Sequence, residues 1–166
     1  MKKVWKSLVL AFVAVFTFAV AACGEGEGDG GWTEVTKPEF RAKVEALQEA
    51  DAGYTGGTIK YYTRTVMFGL VEYEGGFTYA NGKATLTDPE SGNEHGREEA
   101  IWAIENRRIW IEGGDHTVAV YKTGEKGFLI ETSPFTYEYD ANGYFVKETH
   151  ATLTENDWII QITWTK

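Results

Sequence analysis

The sequence predicts an α+β fold, in which an N-terminal helix packs on a curved, half-barrel-like antiparallel sheet of about seven strands. One short additional helix is predicted near residues 97–105. Two patterns support this fold class: apolar residues recur at a spacing of three to four after Thr36, and they mostly alternate with polar residues over 58–166. A helix and a sheet that are each apolar on one face bury those faces against each other. Because a twisted sheet of this size tends to curl, the first helix is expected on its concave side.

The chain begins with a segment that has the organisation of a secretory signal peptide, predicted to span residues 1–22. Its first six residues include three lysines, and the 15 residues from Leu8 to Ala22 carry no charge. An uncleaved membrane helix is the alternative interpretation. However, a helix of that length rises only about 22 Å, whereas the hydrocarbon core of a bilayer is about 30 Å thick.

The end of this segment contains the only cysteine of the chain, in Val20-Ala21-Ala22-Cys23. These four residues resemble the lipobox of bacterial lipoproteins, in which the Cys thiol receives a diacylglyceryl group and the signal is cleaved just before it. The resemblance implies that Cys23 carries the lipid, including acyl chains such as palmitate. Since two or more acyl chains hold a protein stably on a membrane, the protein is expected in the cell envelope, anchored on the extracytoplasmic face of a bacterial membrane.

Residues 23–31 are predicted to be the lipidated Cys and a tether, and residues 32–166 a single α+β domain. Between Cys23 and Trp32 the chain has five glycines, three acids and no apolar residue, which is typical of a flexible coil. Three of the 16 basic residues and none of the 25 acidic residues precede Cys23, so the mature chain has a formal charge of −12. This charge argues against a nucleic-acid partner and against close contact with anionic headgroups.

The first helix is predicted from its start signal. Thr36 can cap the helix, and Pro38 and Glu39 are favoured in a first turn. The apolar stripe that follows consists of Phe40, Val44 and Leu47. Gly53 is predicted to end this helix.

Turn residues and alternation predict the strands of an antiparallel meander with one buried face. Asn81-Gly82 is the strongest hairpin signal, and residues 113–115 and 140–143 are further predicted turns. The last strand is predicted to place four large apolar residues on one face: Trp158, Ile160, Ile162 and Trp164.

The segment before residue 107 departs from this alternation. Glu98 to Ile104 fits either a strand or a short helix, and the helix-forming residues at its start favour the helix. The polar residues 88–96 are predicted to form a loop.

Three stretches, residues 37–47, 54–62 and 139–144, resemble small, uncharacterised bacterial lipoproteins. The combination of anchor, helix and curved sheet is similar in architecture to the LolA and LppX group of half-barrels, which carry lipidated or lipid cargo. This second likeness implies a fold and a class of ligand, and it assigns no ligand residue.

The sequence predicts that the protein is not an enzyme and uses no metal or cofactor. Ser91 and Ser133 occupy turn sequences rather than a nucleophile elbow. The three histidines His95, His116 and His150 show no ligand-pair spacing, so they are predicted to be surface side chains. The alternative for the loop that contains His95 is a cation-binding site formed by this histidine and its acidic neighbours. A pair of carboxylates for glycoside hydrolysis is the alternative that the sequence leaves open, because it does not show the distance between two acidic side chains.

The aromatic residues are the remaining indication of function. Of the 24, four lie in the signal segment, and the others can either fill the core or line a ligand cavity. Candidate cavity-lining residues are Trp102, Trp110, Tyr137, Tyr139, Trp158 and Trp164, with the cavity expected beside the first two. The sequence therefore predicts a lipid-anchored, non-enzymatic binding domain for a lipid or other apolar ligand. The alternative is a surface-interaction or structural lipoprotein with a filled core and no small ligand, whose exposed aromatics meet a protein or glycan. No protein partner is identified by the sequence.

Overall fold

The computed structural model describes residues 31–47, 51–109 and 119–166. Within them the chain forms nine strands and two helices: β1 Thr33–Val35, α1 Lys37–Glu45, β2 Gly56–Thr65, β3 Gly69–Ala80, β4 Lys83–Leu86, α2 Glu94–Asn106, β5 Ala119–Gly124, β6 Gly127–Thr132, β7 Phe135–Asp140, β8 Phe145–His150 and β9 Trp158–Thr165. This confirms an α+β fold that is mostly antiparallel sheet. The predicted signal peptide, Cys23 and nearly all of the tether lie outside the described residues, as does the predicted turn at 113–115.

The strands form one open sheet in the order β1-β5-β6-β7-β8-β9-β2-β3-β4, with β1 and β4 at its edges. Every neighbouring pair is antiparallel. The prediction of about seven strands was wrong. β1 has only three residues, too few to show alternation, and the long hairpin of β2 and β3 turns at residues that carry little turn signal.

Helix α1 covers only one part of the sheet. Thr36 and Glu39 form a capping box at its start, as the sequence indicates. Its buried residues Phe40 and Val44 belong to a core cluster with side chains of β5 and β6. The helix ends at Glu45 rather than at Gly53, and it contacts β5 near one edge of the sheet instead of covering the whole sheet.

Helix α2 covers the other part, over β2, β3 and β4. It is longer than the predicted helix at 97–105, because the side chain of Asn93 accepts a hydrogen bond from the Gly96 amide and caps the helix at an earlier residue. Gly96 also allows a close approach to the sheet, since a Cβ there would lie 1.8 Å from the carbonyl oxygen of Glu72. The predicted loop at 88–96 therefore includes the first turn of this helix. Neither helix of the described chain combines the length and apolar composition required to cross a membrane.

The two helices cover the same face of the sheet, which we call the inner face. One row of paired residues crosses this face from β5 to β2: Tyr121, Ile130, Tyr137, Glu148, Ile160 and Tyr61. Tyr137 and Tyr139 pack against the core clusters of both helices. The middle of the sheet, between the two helices, is therefore the place where aromatic side chains and a buried acid meet.

Candidate functional site

An ion pair between Arg107 and Glu148 lies at the middle of the inner face. Arg107 is the C-cap residue of α2, and Glu148 stands in β8 between Tyr137 and Ile160 of the neighbouring strands. One guanidinium nitrogen of Arg107, Nη1, donates to Oε2 of Glu148. The side chain of Glu148 is 5% exposed and that of Arg107 is 21% exposed. A buried carboxylate of this kind depends on its cationic partner, because water cannot replace that partner.

Aromatic rings surround the guanidinium of Arg107. Its central carbon lies 5.0 Å from the ring centroid of Phe145 and 5.6 Å from that of Trp102. Both distances fall within the range of cation–π attraction. Trp102 itself is 51% exposed, so it covers the guanidinium from the solvent side.

Two phenols beside this pair stay protonated well above neutral pH. Burial is the main cause that raises the pKa of Tyr61 to about 12, and the negative charge of Glu99 adds to it. Burial likewise raises the pKa of Tyr139 to about 12, against the opposing effect of the Arg107 charge. The hydroxyl of Tyr61 donates to Oε2 of Glu99 at 3.5 Å. These groups are therefore neutral hydrogen-bond donors at physiological pH.

Two buried N–H groups in this region have no hydrogen-bond partner among the described residues. They are Nε of Arg107 and Nε1 of Trp158. Trp158 lies two residues from Ile160 along β9, and its ring packs near Phe135 and His150, with ring centroids 5.8 and 6.1 Å apart. A buried donor without an acceptor costs about 1–3 kcal/mol. An acceptor oxygen would therefore stabilise each of these two N–H groups.

The structure separates the six candidate aromatic residues. Tyr137, Tyr139 and Trp158 are half-buried around the central pair. Trp164 lies apart from them, among the rings of Tyr54, Tyr79 and Tyr144 at 5.0–5.3 Å, and its indole N–H donates to a backbone carbonyl. Trp102 stands on the exposed side of α2, and Trp110 lies outside the described residues.

Sequence reasoning missed Arg107 and Glu148. The two are 41 residues apart, and a charged residue at a helix end or in a half-exposed strand is common. Alternation along β8 gave no signal, because a register shift in its pairing with β7 leaves the two buried residues Phe145 and Glu148 three positions apart.

The surface has two depressions, and neither is lined by Arg107 or Glu148. One of about 250 Å³ lies over β2 and β3 beside Lys60, Ser91 and Tyr61, one of the two phenols described above. Another of about 500 Å³ lies between β1 and the β5–β6 turn, beside Val35 and Phe128. The five candidate aromatic residues that the structure describes line neither of them.

The histidines have local partners. Nδ1 of His95 lies 3.5 Å from Oε2 of Glu98, and its ring lies 4.5 Å from that of Phe68. Nδ1 of His150 lies 3.0 Å from the hydroxyl of Thr152. In the parts of the chain that the structure describes, no three His, Cys, Asp or Glu side chains are grouped to hold a metal ion. His116 lies outside those parts.

A second unusual feature is the turn between β2 and β3. Val66, Met67 and Phe68 are 105%, 83% and 55% exposed, and we call these three residues the apolar tip. Sequence reasoning missed it, because turns are usually marked by glycine, proline or short polar residues. Gly69, which has a positive φ of 68°, was the one turn signal.

Comparisons of the chain with protein-family models, with curated proteins and with solved structures gave no match.

Proposed function

We propose that the protein is a bacterial lipoprotein, anchored through Cys23 on the extracytoplasmic face of an envelope membrane, whose residues 32–166 form a non-enzymatic binding domain. Its ligand is an apolar molecule with an oxygen-bearing group, such as a lipid. The half-barrel curvature expected from the sequence would cradle the apolar part of that ligand against the inner face.

The anchor is supported by the lipobox-like Val20-Ala21-Ala22-Cys23 and the glycine-rich acidic segment after it. The Cys23→Ser variant tests it directly. The wild-type protein should fractionate with membranes and carry the mass of the acyl chains, whereas the variant should lose both properties. Equal membrane retention and no lipid mass in the wild type would contradict lipidation.

The observation that carries the ligand proposal is the pair of buried donors without an acceptor, Nε of Arg107 and Nε1 of Trp158. Both lie where half-buried aromatic side chains offer an apolar surface. An ester or carboxylate oxygen would satisfy these donors, and an acyl chain would pack on the rings. A ligand without an oxygen acceptor would leave both donors without a partner.

Binding of a fluorescent fatty acid to the purified full chain tests this proposal. The Trp158→Phe variant keeps an aromatic ring and removes the N–H, so it should weaken binding by about tenfold, the equivalent of one hydrogen bond. Trp164→Phe is the matched control, because that indole already donates to the carbonyl of Phe145, and it should bind like the wild type. Absence of saturable binding, or equal loss in both variants, would contradict a ligand site at Trp158.

A second candidate function is an interaction lipoprotein without a small ligand. The apolar tip favours it, because three consecutive apolar residues are exposed there. Wild-type protein that binds no fatty acid, together with a partner at the tip, would identify this function.

A further inference from the structure

The apolar tip is an exposed apolar surface at one end of the sheet. Val66, Met67 and Phe68 connect two long strands, and the Phe68 ring leans on His95 in the first turn of α2. Leu153, which is also exposed, lies in the turn before β9, and β9 begins opposite Thr63 near the end of β2. The surface is therefore formed by two adjacent turns at the same end of the sheet.

Such a surface needs an explanation. An apolar side chain that stays in solvent does not contribute the stabilisation that its burial would give. The hairpin itself does not need apolar residues, since a Thr65 hydroxyl already accepts a hydrogen bond from the Phe68 amide and closes the turn. Exposed patches of a few hundred Å² on monomers are often functional.

Charged residues around the tip are mostly acidic. Glu94 and Glu98 lie in α2 beside His95, and Glu155 and Asp157 lie in the turn with Leu153. The cations in the same region are Arg64, near the end of β2, and the half-buried Arg97 of α2. An apolar centre with an acidic rim is complementary to an apolar groove with a basic rim.

This rim disfavours two other occupants. Anionic lipid headgroups would be repelled by the four acids. A second copy of the chain would place like-charged rims against each other, and the three residues of the tip are far fewer than the roughly 20–30 residues that each partner contributes to a standard interface. We propose that the apolar tip docks into an apolar groove, lined at its edge by Lys or Arg, on a partner protein.

Site-specific photo-crosslinking in the native bacterium tests this proposal on the full chain. p-Benzoylphenylalanine replaces Met67 in one strain and Lys126, an exposed residue of the β5–β6 turn, in the control strain. We expect one discrete protein adduct from position 67 that is absent from position 126. The adduct is then identified by mass spectrometry, and the purified partner is titrated with the full chain.

The titration decides between a specific groove and a chance contact. Met67→Glu should weaken binding at least about tenfold, whereas Met67→Leu should change it less than about twofold. Binding should weaken as salt screens the acidic rim. Adducts with lipid alone, an adduct of twice the chain mass, no adduct, or binding that Met67→Glu leaves unchanged would each overturn the proposal. Because the tip is exposed, both variants should unfold at the wild-type temperature, which excludes misfolding as the cause of lost binding.

Discussion

Replacing Arg107 by Met tests whether the central ion pair holds the inner face together. Met keeps much of the length and apolar surface of the arginine stem, so it can still pack between the rings of Trp102 and Phe145. It removes the charge that partners Glu148. The substitution therefore isolates the electrostatic contribution of the guanidinium.

The expected loss follows from the burial of the two side chains. Glu148 is 5% exposed, so its carboxylate cannot reach water when its partner is gone, and loss of one member of such a pair costs about 3–5 kcal/mol. Arg107 is 21% exposed, so water can partly hydrate its guanidinium in the Glu148→Gln variant. We therefore expect this variant to lose less unfolding free energy, about 1–3 kcal/mol. The double variant removes both charges and should be more stable than Arg107→Met alone.

Urea unfolding of the purified protein, followed by tryptophan fluorescence, measures these differences. The order of stability should be wild type, then Glu148→Gln, with Arg107→Met the least stable of the three. A loss below about 1 kcal/mol in Arg107→Met would show that Glu148 is solvated without its partner. A double variant no more stable than Arg107→Met would refute the coupling between the two charges.

Four further substitutions test the packing of the core and the titration of its phenols. Tyr61→Phe and Tyr139→Phe should each lose less stability than the wild type between pH 10 and pH 12, because the folded protein holds phenol protons (pKa raised from 10.0 to about 12) that the unfolded chain releases. Circular dichroism across that range checks this, and parallel pH curves would contradict it. Phe40→Ala should cost about 3–5 kcal/mol in urea unfolding, since the ring is fully buried under α1; a loss below about 1 kcal/mol would mean that α1 is loosely packed. Gly96→Ala should cost about 1–3 kcal/mol, because the new methyl group would overlap the carbonyl oxygen of Glu72. An equally stable Gly96→Ala variant would show that α2 can move away from β3.

The elements that were predicted correctly are those that depend on interactions between residues close together in the sequence. The Asn81-Gly82 turn forms as expected, with both residues at positive φ and Ala80 paired with Lys83 across it. Alternation in the last strand correctly placed Ile160 and Ile162 in the core. Each of these features depends on a few consecutive residues, so the sequence carries the whole signal.

Features that depend on distant contacts escaped prediction. In the sequence, Glu148 cannot be distinguished from the other acidic residues, because only the fold brings Arg107, at the end of α2, next to it. The apolar tip looks like the continuation of a strand, because Val, Met and Phe favour strands more than turns. The length of α1 was overestimated because apolar spacing continues after Glu45, although the helix does not. For the ion pair, tertiary contacts rather than local preference decided the outcome.

The direction of the strands relates the proposed anchor to the apolar tip. Six antiparallel pairings separate β1 from β2, so the two strands run the same way, and the chain enters β1 at the end of the sheet opposite the tip. The ten residues of β2 span about 33 Å, whereas the segment between Cys23 and Trp32 has a root-mean-square reach of about 15 Å as a coil. A lipid on Cys23 would therefore hold the tip away from its own membrane. Turning the domain over would bring the acidic rim of the tip against the headgroups, which anionic lipids oppose. A lipid anchor at Cys23 and a docking tip would thus act separately, and loss of either one should leave the other intact.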